Sequence, residues 1–209
     1  MIVIQNTLKL STIILIILLS SLLSGCTDNS SDNSNSNTTE YTENFSFLLL
    51  NGEEKHTSDF AGKIVIIDFT GVNCPYCVPQ TFALEKIYNA YSIDKLVIIS
   101  IYSWMFQGET IQDIENLNKA YQCKSPCADE EKFSYLQIRE AKAYYGKQEG
   151  LELKWIIGVD DNVGTLYNKY PKVGIPYILI LDKKGNIYYS NAGYTDNSII
   201  ITELNKIIE

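Results

Sequence analysis

Two cysteines separated by two residues, in Cys74-Pro75-Tyr76-Cys77, are the part of this 209-residue chain best equipped for chemistry. Thiols at this spacing can close a small disulfide ring, and the ring opens when a thiolate attacks one of its sulfurs. The apolar run Ile64-Val65-Ile66-Ile67-Asp68-Phe69 stands just before the pair, and Phe82, Leu84, Ile87, Tyr88 and Tyr91 follow it at helical spacing. The pair is therefore expected at a strand-to-helix turn, with Cys74 capping the helix and Pro75 at its first position, where a missing N–H costs nothing. Unpaired helix amides and the positive end of the helix dipole favour a thiolate at Cys74, taking its pKa from about 8.5 into a range of roughly 3.5 to 7.5. Cys74 is the expected nucleophile. Cys77, one turn on along the same face, is the expected resolving thiol.

The same spacing also serves metals, so the alternative is a non-catalytic zinc module built from Cys74, Cys77, Cys123 and Cys127. A strand before the first cysteine and a long helix after it are unlike a zinc ribbon, and redox chemistry is the favoured reading. No metal and no other cofactor is expected. His56, in the polar stretch Glu53-Glu54-Lys55-His56, reads as a surface loop residue.

The chain holds five cysteines, an odd number that Cys26 explains. An apolar run from Leu10 to Leu23, preceded by Lys9, ends in Leu23-Ser24-Gly25-Cys26. That ending resembles the lipobox of bacterial-type lipoproteins, which implies a signal peptide over residues 1–26 and lipidation of Cys26. An uncleaved anchor is the alternative, although the run is short against the roughly 20 residues of a spanning helix. Either way the soluble part is expected outside the cytoplasm, held at the outer face of a membrane by its N-terminus. Residues 27–44 are rich in Ser, Asn, Asp and Thr, too polar to bury a core, and read as a disordered tether. Asn-X-Ser/Thr matches there carry little weight in so biased a tract.

Four cysteines remain, an even number that suits an oxidising compartment. Cys123 and Cys127 most simply close a structural disulfide; relay of electrons to the first pair is the other reading. A net charge of −8 without a basic stripe argues against nucleic acid.

Residues 45–209 have the length of one domain. Expected strands cover 45–50, 63–69, 96–102 and 155–159, and a hairpin joins 177–181 to 186–190 across Asp182-Lys183-Lys184-Gly185. Helices are expected from Pro75 onward, around 163–170 and over 198–208. A helical insertion of about 104–153 is expected to hold helices at 111–121 and 130–145 around the second cysteine pair. Strands alternating with helices and ending in a hairpin imply an α/β sandwich with a mixed sheet.

This order of elements, together with the C-x-x-C and Val173-Gly174-Ile175-Pro176 ahead of a strand, resembles the thioredoxin fold. Leu50-Asn51-Gly52 and Thr57-Ser58-Asp59-Phe60-Ala61-Gly62-Lys63 before the active-site strand are similar to the entry region of TlpA-like, membrane-tethered thiol-disulfide oxidoreductases. The resemblance implies a three-layer thioredoxin-like sandwich. It also implies a cis Pro176 beside the redox disulfide, with Ile175, Pro75 and Tyr76 lining a substrate groove. Asp68, six residues before Cys74, stands where thioredoxins carry a buried acid, implying proton exchange with Cys77. Asn73 and Tyr177 depart from the family, replacing a Trp and a Thr. The implied activity is reduction or exchange of disulfides in extracytoplasmic proteins, with electrons from a membrane thiol carrier. The expected potential is about −200 to −270 mV.

Overall fold

The computed structural model describes residues 41–123, 138, 150–171 and 173–208, all within one compact unit, Thr39–Glu209. The described residues build a seven-stranded sheet in the order β2-β1-β5-β4-β3-β6-β7. Its strands are β1 (Ser46–Leu49), β2 (Glu54–His56), β3 (Ile64–Thr70), β4 (Leu96–Tyr102), β5 (Ile156–Val159), β6 (Tyr177–Leu181) and β7 (Ile187–Ala192). The helices are α1 (Cys77–Ala90), α2 (Ile111–Gln122), α3 (Thr165–Lys169) and α4 (Asn197–Leu204), with 3-10 turns at Thr57–Phe60 and Met105–Gln107.

The sheet is mixed because β3, β4 and β5 run parallel while β1, β6 and β7 join it antiparallel. Parallel neighbours bury both faces, which accounts for the unbroken apolar runs of β3 and β4, buried at every position. Side chains alternate across such a strand. Val65, Ile67 and Phe69 pack with Phe47 and with Leu166 of α3 on one face. Ile64 and Ile66 pack with Leu84 and Ile87 of α1 and Ile200 and Leu204 of α4 on the other. A third cluster joins Val78 and Phe82 of α1 to Ile114, Leu117 and Tyr121 of α2. The result is a three-layer, thioredoxin-like α/β sandwich.

Local chemistry fixes the ends of the elements. Thr110 caps α2 by accepting from the Asp113 amide at 3.2 Å while Asp113 accepts from the Thr110 amide at 3.0 Å, a reciprocal cap worth about 1 kcal/mol. Asp196 caps α4 through the Ser198 amide at 2.8 Å. The β6–β7 turn is closed by Asp182, whose Oδ1 accepts from the amides of Lys184 and Asn186 at 2.8 and 2.9 Å.

Several expectations need correction. The first helix begins at Cys77, with Tyr76 as its cap residue. Cys74 is therefore not the cap and Pro75 is not the first helical residue. Cys74 to Cys77 form a turn, closed by the Cys77 amide donating to the Cys74 carbonyl at 3.2 Å. Residues 41–44, expected as the end of the tether, are described within this unit. Tyr41 and Phe45 are buried, and the Tyr41 ring lies so close to Gly185 that a Cβ there would stand 2.6 Å from it. Strand β2 was not expected; its charged sequence conceals it, and pairing with β1 alone holds it at the sheet edge. The last helix covers 197–204 rather than 198–208. Of the insertion, α2 matches its expected span within one residue. The expected 130–145 helix lies outside the described residues except for Ile138, as do Cys26 and Cys127. Cys123 is disulfide-bonded.

Candidate active site

Strand β3 delivers the chain to the site, and the turn at its end presents the two cysteines. Cys74 and Cys77 are joined by a disulfide of 2.06 Å, with Cα atoms 5.3 Å apart, and each is only 2% exposed. Pro75 and Tyr76 between them are exposed, Tyr76 at 68%. The turn preceding β6 comes against the pair from the opposite side. The Ile175–Pro176 peptide bond is cis, and the Cys74 sulfur lies 3.7 Å from the Ile175 carbonyl oxygen. Ile175 is half-buried and Pro176 buried, while Val173 on the same turn is 80% exposed. Residues 100 positions apart in sequence thus form one surface around the disulfide.

Asp68 lies beneath. It alternates in register with Ile64 and Ile66, so it faces the layer that holds α1. It is 1% exposed. Its Oδ2 accepts from the Ser100 hydroxyl at 3.2 Å, and the Trp155 indole N–H donates to the Ser100 oxygen at 2.9 Å. Its Oδ1 is buried without a hydrogen-bond partner. Burial penalises the charged carboxylate more than the one hydroxyl bond relieves it, and the pKa is pushed up from 3.8 to about 7. The group can thus take or give a proton near neutral pH.

A second polar thread leads from α1 toward α2. The Thr81 hydroxyl donates to the Cys77 carbonyl at 3.1 Å, and the Tyr121 hydroxyl donates to Thr81 at 3.3 Å. Burial holds the phenols of Tyr102 and Tyr121 well above their ordinary range, and the Asp68 charge adds to this. Both phenols therefore stay protonated across the range in which Asp68 titrates. Gln80 ties α1 to the chain after β7, accepting from the Thr195 amide at 2.8 Å and donating to its carbonyl at 3.2 Å.

The segment after β4 grips the loop of residues 70–73 residue by residue. Ser103 donates to the Thr70 carbonyl through both its amide, at 2.9 Å, and its hydroxyl, at 3.3 Å. The Trp104 ring packs over Gly71 together with Ile175: a Cβ on Gly71 would stand 2.8 Å from Ile175 Cδ1 and 3.1 Å from the indole. Glu109 Oε1 accepts from the amides of Val72 and Asn73 at 2.8 and 3.2 Å. A tryptophan therefore does flank the site, from a different element than the position before Cys74.

Of the residues expected from the sequence, the fold brings Cys74, Pro75, Tyr76 and Cys77 against Ile175 and Pro176, and buries Asp68 in the strand that leads to them. Cys123 sits at the C-terminal end of α2. The sequence reading missed Trp104, Glu109, Ser100, Trp155, Thr81 and Tyr121. Their contacts with the site span 30 or more residues in most cases, and no motif links them. Among the described residues, no group of three or more His, Cys, Asp or Glu is arranged to hold a metal. The zinc alternative required free thiolates at Cys74 and Cys77, and these two sulfurs are bonded to each other.

Comparison with known proteins agrees with this geometry. The thioredoxin domain of a thiol-disulfide oxidoreductase from Bacteroides vulgatus superposes with a TM-score of 0.53 at 20% identity, covering 82% of this chain and 97% of that one. A thiol-disulfide isomerase from Corynebacterium glutamicum gives a TM-score of 0.51 at 20% identity, covering 81% and 93%. The exposed lipoprotein thioredoxin Etrx1 of Streptococcus pneumoniae gives 0.50 at 19% identity, covering 78% and 99%. These likenesses establish the shared fold. Among curated sequences, a glutathione peroxidase of Lactococcus lactis subsp. cremoris is 32% identical over 76 residues, or 36% of this chain. The match spans about half the length of that relative, 48%. The Redoxin family model matches residues 37–208, nearly the whole described unit. With that span matched around a paired Cys74–Cys77, the chain belongs to the Redoxin family.

Proposed function

We propose that this Redoxin-family protein is an extracytoplasmic, membrane-tethered thiol-disulfide oxidoreductase of the TlpA-like kind that reduces or exchanges disulfides in other proteins. The observation that carries the reading is the Cys74 sulfur set 3.7 Å from the carbonyl that precedes cis Pro176. An extended polypeptide laid along that turn meets the disulfide and the half-buried Ile175 together. Ile175, Pro176, Pro75 and Tyr76 are the residues proposed to hold it.

In the reduced enzyme, the Cys74 thiolate attacks one sulfur of the substrate disulfide. A Cys74–substrate disulfide forms and the other substrate sulfur leaves as thiolate. Asp68 takes the proton from the Cys77 thiol, and the Cys77 thiolate attacks the Cys74 sulfur. The Cys74–Cys77 bond forms, the second substrate thiolate leaves, and the substrate has gained two electrons. A dithiol donor, by family analogy a membrane thiol carrier, returns two electrons and two protons to the enzyme. Asp68 suits the proton step because its pKa near 7 lets it be a base at neutral pH and an acid in the return.

Cys74→Ala should abolish insulin-disulfide reduction coupled to dithiothreitol. Cys77→Ala should instead trap enzyme–substrate mixed disulfides, visible on non-reducing gels. Full turnover by the Cys74 variant would sink the mechanism. Tethering rests on the Leu23-Ser24-Gly25-Cys26 sequence and on the second pair, Cys123 and Cys127, proposed as a structural disulfide suited to an oxidising compartment.

A further inference from the structure

Glu109 is the buried charge near the disulfide that the mechanism leaves unused. It is 8% exposed, and one carboxylate oxygen collects the amides of Val72 and Asn73, the two peptide groups just before Cys74. The other oxygen, Oε2, is buried with no hydrogen-bond partner. A loop clamp needs a single acceptor oxygen, and an amide side chain would supply one. The structure instead places a full carboxyl group on the two residues preceding Cys74 and leaves one of its oxygens unsatisfied, which is costly for the charged form.

We propose that Glu109 is a positioning residue for Cys74 that opposes negative charge on its sulfur and so holds the Cys74–Cys77 couple toward the reducing end. The proposal rests on Cys74 being the attacking thiol. Reduction adds two electrons and two protons from the dithiol donor to the Cys74–Cys77 bond, giving two thiols. Cys74 then releases its proton to become a thiolate. A carboxylate anchored on the amides of Val72 and Asn73, two residues and one residue before Cys74, disfavours the release, because like charges in a water-poor site repel with little screening. A less stable thiolate means a less stable reduced form and a lower potential. Glu109 itself responds in kind: burial pushes its pKa up, offset in part by the Asn73 and Val72 amides and increased by the Asp113 charge. Among the described residues, Asp113 from α2 acts on it, and Glu109 acts on Tyr102 from β4, as do Tyr121 and Asp68. Cys74 and Glu109 thus titrate as a pair in the reduced enzyme. Two acids serve the two sulfurs, Asp68 for proton removal at Cys77 and Glu109 for charge control at Cys74.

Glu109→Gln tests this because glutamine keeps an acceptor for both amides and removes only the charge. Thiolate absorbance at 240 nm against pH should show the fraction of Cys74 ionised below its pKa rising about tenfold. Equilibration with glutathione should shift by up to the same factor toward the reduced form, about +30 mV for a two-electron couple. Glu109→Ala should loosen the loop and lower the melting temperature, whereas a charge effect alone leaves it nearly unchanged in Glu109→Gln. Should the variant fail to fold, carboxyl NMR of the wild-type protein supplies the reciprocal readout: Glu109 should titrate at higher pH in the reduced than in the oxidised form. An unaltered Cys74 titration and potential in Glu109→Gln, or identical Glu109 titrations in the two redox forms, overturns the proposal. If alkylation of the reduced protein labels Cys77 ahead of Cys74, the assignment of the nucleophile fails instead, and the two failures are told apart.

Discussion

Asp68→Asn should make the oxidised protein more stable at alkaline pH while slowing its catalysis. The wild-type carboxyl is raised from 3.8 to about 7 by burial. Because the folded state holds its proton more tightly than the unfolded chain, the stability this provides is full below pH 3.8. It falls by about 1.4 kcal/mol per pH unit as pH rises toward 7 and is gone above that. The whole swing is on the order of 4 kcal/mol. Asparagine carries no charge to bury, so the variant escapes this loss. Its carbonyl oxygen can still accept from Ser100, but its amide group falls where Oδ1 has no partner, and an unsatisfied donor costs about 1–3 kcal/mol. The net gain at pH 8 is therefore about 1–3 kcal/mol, and near pH 4 the sign reverses. Urea unfolding of both oxidised proteins at pH 4, 6 and 8 measures it directly. Wild type should lose ground to the variant between the first and last points. Parallel stability curves across that range would mean that Asp68 is ionised in the folded state, refuting the argument from burial and with it the proton role assigned to the residue.

Gly71→Ala should place a methyl group against Ile175 and the Trp104 ring, at 2.8 and 3.1 Å. Overpacking of this kind destabilises by about 1–3 kcal/mol. Because Ile175 is the neighbour that must move, insulin reduction should fall several-fold in protein that remains folded; unchanged turnover would detach Ile175 from the site. Mass spectrometry of the membrane-extracted protein should find a mature chain beginning at a lipid-bearing Cys26, whereas an intact Met1 would favour an uncleaved anchor.

The Cys74–Cys77 pair, the strand that delivers it and the sandwich around it were legible because each depends on a local pattern. A C-x-x-C spans one turn, and the buried parallel strands β3 and β4 must be continuously apolar. A hairpin turn such as Asp182 to Gly185 closes through its own side chain and a glycine at positive φ. The cis Pro176 and the acid at Asp68 followed from likeness to a fold, since nothing within five residues of either specifies its partner. Only the tertiary structure decided what surrounds them. Asp68 has a raised pKa because Ile64, Ile66 and the α1 layer exclude water and a single hydroxyl reaches it. Trp104 and Glu109 reach the loop of residues 70–73 because β4 runs parallel to β3 and ends beside it, so the chain leaving β4 must cross the chain leaving β3. Strand β2 shows the same division from the other side: its charged residues carry no strand signal, and the edge of β1 supplies the backbone partners that make it one. Local sequence thus fixes which residues can react, while their proton affinities and neighbours arise from burial and from strand adjacency, which depend on contacts far apart along the chain.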